Sequence, residues 1–212
     1  MSPLPALLKH AAKSITFGVA TALVLPQIVS YRLRSVLLGR DRALEGSTQL
    51  LGMIPGVSGQ YLRRAFLAQV LKRCHPSATI EFGTIFSKAD AEIDENVYVG
   101  PGCYLGLVHL ESDVMLAGGV HVPSGGRTHG IADPTLPMRA QPGTRALVTI
   151  GRGAWVASAA VVLADVGADT VVGAGAVVTK ALPAHVVAGG VPARVLRSRI
   201  FSDADDAPRQ VG

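Results

Sequence analysis

Ile80–Val122 reads IEFGTIFSKADAEIDENVYVGPGCYLGLVHLESDVMLAGGVHV, and its period is six. Large apolar residues stand at Ile80, Phe86, Ile93, Val99, Leu105, Leu110, Leu116 and Val122, with Ile93 one residue late and Leu110 one early. The pattern resumes at Ile150, Val156 and Val162, and again at Val172 and Val178. A helix repeats at three and four, and a half-buried strand at two, so six belongs to neither. It predicts short strands joined by tight corners and stacked coil on coil, an all-β core in the form of a parallel β-helix. Small residues follow many markers, among them Gly100, Gly106, Ala117, Gly151 and Ala157, and these are expected to let the backbone bend. The irregular steps, including the ten residues from Val162 to Val172, are expected at corners. One interruption is far longer, an excursion over 127–149, and long excursions from a repetitive scaffold tend to carry function.

Composition agrees with this class. The 212 residues are 49% hydrophobic but only 5% aromatic, so the core is aliphatic. Twenty-four glycines and thirteen prolines exclude a helix bundle. Cys74 and Cys103 form no disulfide framework and suit a reduced, cytoplasmic setting. The net charge of +5 calls for an anionic partner. Basic and aromatic residues do not interleave, which argues against nucleic acid and leaves a membrane surface or a phosphorylated cofactor.

Residues 1–74 predict a helical N-terminal segment. Ser14–Tyr31 carries no charge, with Lys9 and Lys13 before it and Arg32, Arg34, Arg40 and Arg42 after it. At eighteen residues it is marginal for a bilayer span. Spanning a membrane, lying on its cytosolic face and packing as a buried helix all remain open, while no cleavage site marks a signal peptide. Gln60–Arg73 reads as a basic amphipathic helix with Leu62, Phe66 and Val70 as its stripe. It can lie on an anionic membrane surface or, the more usual use of such a stripe, pack against the main domain with the arginines solvated. Residues 199–212 form a polar tail.

Ile150–Arg197, IGRGAWVASAAVVLADVGADTVVGAGAVVTKALPAHVVAGGVPARVLR, resembles the hexapeptide-repeat acyltransferases, and its blocks GAWVAS, VVGAGAVVTK and AGGVPARVLR look like the sugar O-acetyltransferase branch. PGVSGQYLRRAF and CHPSATIEFGTIFS resemble acyltransferases of surface-polysaccharide clusters. The resemblance implies a left-handed parallel β-helix over 75–198, a homotrimer, and acetyl-CoA as acyl donor to a sugar hydroxyl. It implies His129, in SGGRTHG, as the catalytic base. By the same matching Trp155 borders the acyl site, Ser158 and Ala174 lie on the pantetheine arm with Thr179 and Lys180 near it, and Arg194 and Arg197 meet the phosphates.

Direct transfer needs a base for the acceptor hydroxyl and donors for the oxyanion, tasks for which histidine and backbone N–H groups serve well. No covalent acyl-enzyme is required, and neither cysteine has a nucleophile's context. Asp133 reads as a turn residue before Pro134, with orientation of an imidazole as the alternative. Some relatives of this fold bind zinc through histidines, but His109 and His121 lack that spacing and no metal is expected. A serine, antibiotic or amino-sugar acceptor stays open, as does a non-catalytic scaffold. The serine enzymes carry a larger helical N-terminal domain than residues 1–74 resemble.

Overall fold

The computed structural model describes residues 4–200, with side chains from Ile15 onward; most of the predicted polar tail lies outside them. Three helices come first: α1 (Leu4–Leu38), α2 (Arg40–Gly52) and α3 (Gly56–Val70). Coil 1 then consists of β1 (Arg73–Cys74), β2 (Thr79–Ile80) and β3 (Ile85–Phe86). Coil 2 is β4 (Glu92–Ile93), β5 (Tyr98–Val99) and β6 (Tyr104–Leu105), and coil 3 is β7 (Val108–Leu110), β8 (Met115–Leu116) and β9 (His121–Val122). Coil 4 holds β10 (Val148–Ile150), β11 (Trp155–Val156) and β12 (Val161–Val162). Coil 5 has a single bridge at Val166, then β13 (Val171–Val172) and β14 (Val177–Val178). Coil 6 has a bridge at Leu182 and β15 (Val186–Gly189), against which β16 (Arg194–Ser198) returns antiparallel.

Corresponding strands pair in parallel, in register, and make three faces. The first face stacks β1, β4, β7 and β10; the second runs from β2 to β16; the third stacks β3, β6, β9, β12 and β14. Every apolar marker of the six-residue pattern is fully buried between the faces, from Ile80 to Val178. A second inward row stands two residues before the markers, as at Val97, Val114, Ala154 and Ala176.

The irregular spacings fall at one corner only. From the first face to the second the inward residues are Cys74–Ile80, Ile93–Val99, Leu110–Leu116, Ile150–Val156, Val166–Val172 and Leu182–Ala188, always six apart. From the second to the third the step is again six throughout. From the third back to the first the inward residues are Phe86–Ile93, Leu105–Leu110, Val122–Ile150, Val162–Val166 and Val178–Leu182. All variation in length, including the long excursion, sits on that third edge.

The bend itself is not made by the small residue that follows each marker. It comes three positions after the marker, where φ is positive: Asn96, Asp113, Gly153, Asp169 and His185 at the first corner, Gly83, Gly102, Gly119, Ala159 and Gly175 at the second. The residue directly after the marker is small for another reason. A Cβ on Gly100 would stand 2.6 Å from the carbonyl carbon of Ala117 in the next coil, and one on Gly167 2.3 Å from the nitrogen of Ala184. Ala159 is the only second-corner residue with a side chain in this left-handed geometry, at φ 58°. Left-handed backbone costs an L-residue about 1 kcal/mol or more. Ala159→Gly should therefore raise the melting temperature by about 2–4 °C in a thermal scan; a lower midpoint would contradict this account.

The first coil of a solenoid has an open edge that must be capped, and α2 and α3 cap it. Gly83 N–H donates to the Gly52 carbonyl at 3.0 Å, and Phe86 N–H to the Thr48 hydroxyl at 3.2 Å. Arg63 Nε donates to the Ile80 carbonyl at 2.9 Å, while its Nη1 donates to Ile54 and Leu51 carbonyls at 2.7 and 3.2 Å. The expected stripe is present, with Phe66 and Val70 buried. Of the arginines expected in solvent, Arg73 is exposed, but Arg63 is only 2% exposed and Arg64 lies over the rings of Phe17 and Tyr61. The reason is that coil 1 presents carbonyls that no strand covers, and the guanidinium supplies their donors.

Among the described residues Ile15–Leu38 is long and apolar enough to cross a bilayer by length and composition. In the fold, Ala20, Val24, Ile28 and Tyr31 form an inner stripe in the core, with Tyr31 edge-on to Phe66. The opposite face of α1 is exposed.

Candidate active site

The excursion leaves the third face after β9 and returns as β10. Ser124 starts it at φ 70°, buried, with its hydroxyl accepting the Leu107 N–H at 2.8 Å. The two arms then run side by side. Ala146 N–H donates to the Ser124 carbonyl at 2.9 Å and Thr144 N–H to the Arg127 carbonyl at 2.7 Å. Further out the arms touch too closely for side chains: a Cβ on Gly143 would lie 2.1 Å from the Thr128 carbonyl oxygen, and one on Gly130 2.6 Å from that of Pro142. The tip is tied by Gln141, which is buried. Its amide donates to the carbonyls of Asp133 and Leu136, and its oxygen accepts the Asp133 N–H.

His129 sits on the outgoing arm between these close contacts, exposed. Asp133 does not orient it. The Asp133 carboxylate accepts the hydroxyl and N–H of Thr135 at 2.6 and 2.8 Å, and these bonds hold it below the usual carboxylate range. It is the turn residue that the sequence favours.

The other described histidines are engaged. His75 shares a hydrogen bond with Ser77 at 2.8 Å, and His121 stacks on Tyr104 with centroids 6.1 Å apart. His109 lies 3.0 Å from Asp94 in a network with Arg73 and Glu92 on the first face. His185 is a corner residue, 3.9 Å from Asp169. Among the described residues His129 is the histidine whose ring has no partner within the chain. No group of three or more His, Cys, Asp or Glu among those residues is placed to hold a metal. Both cysteines are buried, and burial pushes the Cys74 thiol up to about 12, which suits a packing role rather than a nucleophile.

A cleft of about 460 Å³ opens where the excursion meets the coils. Gly125, Gly126 and Arg127 line it from one arm and Thr144 and Ala146 from the other, with Leu163 and Thr179 on the coil side. Leu163 and Thr179 directly follow the third-face residues Val162 and Val178. Thr179 therefore stands beside the excursion that carries His129, with Lys180 next to it and exposed. The remaining predicted residues lie elsewhere. Trp155 is 43% exposed on the outer side of the second face, in register with Met115 below and Val171 above. Val171 pairs Val187, and Val187 pairs Arg197, so Trp155 and Arg197 share one ladder. Ser158 and Ala174 occupy the corner between second and third faces, where Gly175 N–H donates to the Ser158 carbonyl at 2.9 Å. Arg194 is opposite Gly189 on β16. The predicted residues thus fall into two groups on one chain, His129 with Thr179 and Lys180 on one edge, and Trp155, Ser158, Ala174 and the β16 arginines on another.

Sequence reasoning did not name Arg127, Thr144 or Leu163. Leu163 has a signal, being large where several coils place glycine or alanine after the marker. The facing of Arg127 and Thr144 has none, because it depends on the pairing of the arms.

No family model matches the chain. A galactoside O-acetyltransferase from Escherichia coli K12 is 28% identical to it, over 68% of this chain and 82% of that protein. Among solved structures, a maltose O-acetyltransferase from Clostridium difficile 630 superposes with a TM-score of 0.66 at 22% identity, covering 78% of this chain and 89% of that one. A galactoside acetyltransferase in complex with coenzyme A gives 0.58 at 22% identity, over 81% and 86%. At this identity the solved structures speak for the fold. Taken with the six-residue period, the three-faced coil and the long third-corner excursion, they show that the chain is built on the left-handed parallel β-helix that these acetyltransferases share.

Proposed function

We propose that the chain is an acetyl-CoA-dependent O-acyltransferase that acetylates a sugar hydroxyl, with a polysaccharide or glycolipid precursor as acceptor, in the cytoplasm. The observation that carries the site is the unpartnered His129 ring on a tightly braced arm beside the Thr179 cleft. His129 takes the acceptor hydroxyl proton as its oxygen bonds to the thioester carbonyl carbon, and backbone N–H groups hold the oxyanion. The C–S bond then breaks, and the proton passes from the imidazolium to the departing CoA sulfur. Ser158, Ala174, Thr179 and Lys180 flank the pantetheine arm, an extended chain that pairs well with exposed backbone. Trp155 borders the acyl group, and Arg194 and Arg197 meet the phosphates, for which guanidinium forks are well shaped.

The working unit is a homotrimer. Its support is the separation of the two groups of predicted residues, which neighbouring copies bring together, and the exposed apolar residues Ile131, Leu136 and Met138 of the excursion with Met115 and Trp155 on the second face.

Calorimetric titration of acetyl-CoA into the full chain tests the reading. One saturable site per chain is expected, in a sample of about three times 21.9 kDa by light scattering. Lys180→Ala or Arg194→Ala should weaken binding about tenfold, the worth of one charge-assisted contact. A folded sample that takes up no acetyl-CoA would overturn the function.

A further inference from the structure

Among the described residues nothing covers the outer face of α1. Ile15, Val19, Leu23, Leu25, Leu33 and Leu37 are all more than half exposed. At 100° per residue they fall on one side of the helix, opposite the inner stripe of Ala20, Val24, Ile28 and Tyr31. From Ile15 to Leu37 this face is about 33 Å long. An open apolar groove lies along it, lined by Leu25, Pro26, Val29 and Leu33.

Charge selects the occupant. Residues 4–38 contain no Asp or Glu, and cations bracket the apolar run: Lys9 and Lys13 before it, Arg32, Arg34, Arg40 and Arg42 after it. Arg34 is bonded to Ser47 and Arg40 to Asp90, while Arg32 and Arg42 are exposed. A second copy of this face, laid parallel or antiparallel, would set cations against cations. An anionic phospholipid surface offers hydrocarbon for the apolar face and phosphates for its flanks.

The packing selects the geometry. Crossing the bilayer would strip the inner stripe from α2 and α3 and leave Ala20, Val24 and Ile28 without their core. Pro26 also offers no N–H to the Ala22 carbonyl, which water and headgroups at an interface can satisfy and hydrocarbon cannot. We propose that α1 docks the enzyme on an anionic membrane surface, lying in the interface plane with its outer face in the lipid. The lipid-facing helix is α1 and not α3, whose arginines are spent on coil 1 and on aromatic rings. α2 and α3 lie between α1 and coil 1. Coils follow one another at about 4.8 Å, which stands the cleft on coils 3–5 about 10–20 Å beyond the capping helices. That height suits a saccharide carried on a lipid, an acceptor assignment that rests on the proposed acyl transfer.

The test is sedimentation of the full chain with vesicles of phosphatidylcholine alone and of phosphatidylcholine with phosphatidylglycerol. Binding is expected on the anionic vesicles only, weakened by added salt, and released by alkaline carbonate as for an in-plane helix. The double variant Leu25→Glu with Leu33→Glu should partition about tenfold or more less well, with its acetyl-CoA titration unchanged. That titration shows the variant is folded and separates failure of docking from failure of the acyltransferase reading. Absence of binding, equal binding by the variant, or resistance to carbonate would each overturn the proposal. So would a variant whose mass falls in the absence of lipid, since the face would then join two copies of the chain.

Discussion

His129→Ala is expected to lower kcat by about 10²–10⁴-fold, the usual worth of a general base, while the affinity for acetyl-CoA stays within about twofold. The split follows from where the residue stands. His129 is on the outgoing arm of the excursion, and neither its ring nor its backbone lines the coil side of the cleft, where Leu163 and Thr179 stand. Its removal leaves the arms intact, because their bracing is backbone to backbone at Ser124–Ala146 and Arg127–Thr144 and glycine to backbone at Gly143 and Gly130. The fold therefore has no reason to change, and the ring has no partner among the described residues to lose. Steady-state turnover with a saccharide acceptor, read beside calorimetric binding of acetyl-CoA, checks both halves. Unchanged turnover would remove the base assignment; lost binding with lost turnover would make His129 a structural residue.

Arg63→Ala is expected to destabilise the chain by about 3–5 kcal/mol, since each buried carbonyl left without its donor costs about 1–3 kcal/mol. For a protein of this length that is a fall of roughly 10 °C in melting temperature. Three carbonyls, those of Ile80, Leu51 and Ile54, lose their donor at once, and a volume opens beneath α3. Arg63→Lys should recover only part of the loss, since an ammonium cannot reproduce the fork that spans coil 1 and the α2–α3 link. Thermal and urea unfolding of both variants measures this. A fall of less than 1 kcal/mol for the alanine variant would show that water replaces the guanidinium.

The contrast between these residues explains what the sequence shows. Ile80, Phe86 and Val99 are legible as core because every coil repeats the same inward demand, so chance agreement fails within a few periods. The inward turn of Arg63 is not legible, because its cause is an uncovered carbonyl on Ile80, seventeen residues away and on another element. At the candidate site His129 and Thr179 come from a motif whose order survives in the chain. Arg127 and Thr144 come together only through pairing between distant ends of a loop, which carries no period. The α1 segment is half legible: its apolarity is plain, but which side faces the core depends on Tyr31 meeting Phe66.

The confinement of all length variation to the third corner makes the scaffold and the loop separable. Two edges act as a fixed ruler, and the third is a socket. Residues between Val122 and Val148 can be exchanged for a longer or shorter cassette without shifting any rung above or below, because the ladder resumes its count at Ile150. The excursion is thereby free to drift, or to be grafted, on a frame that keeps its own register.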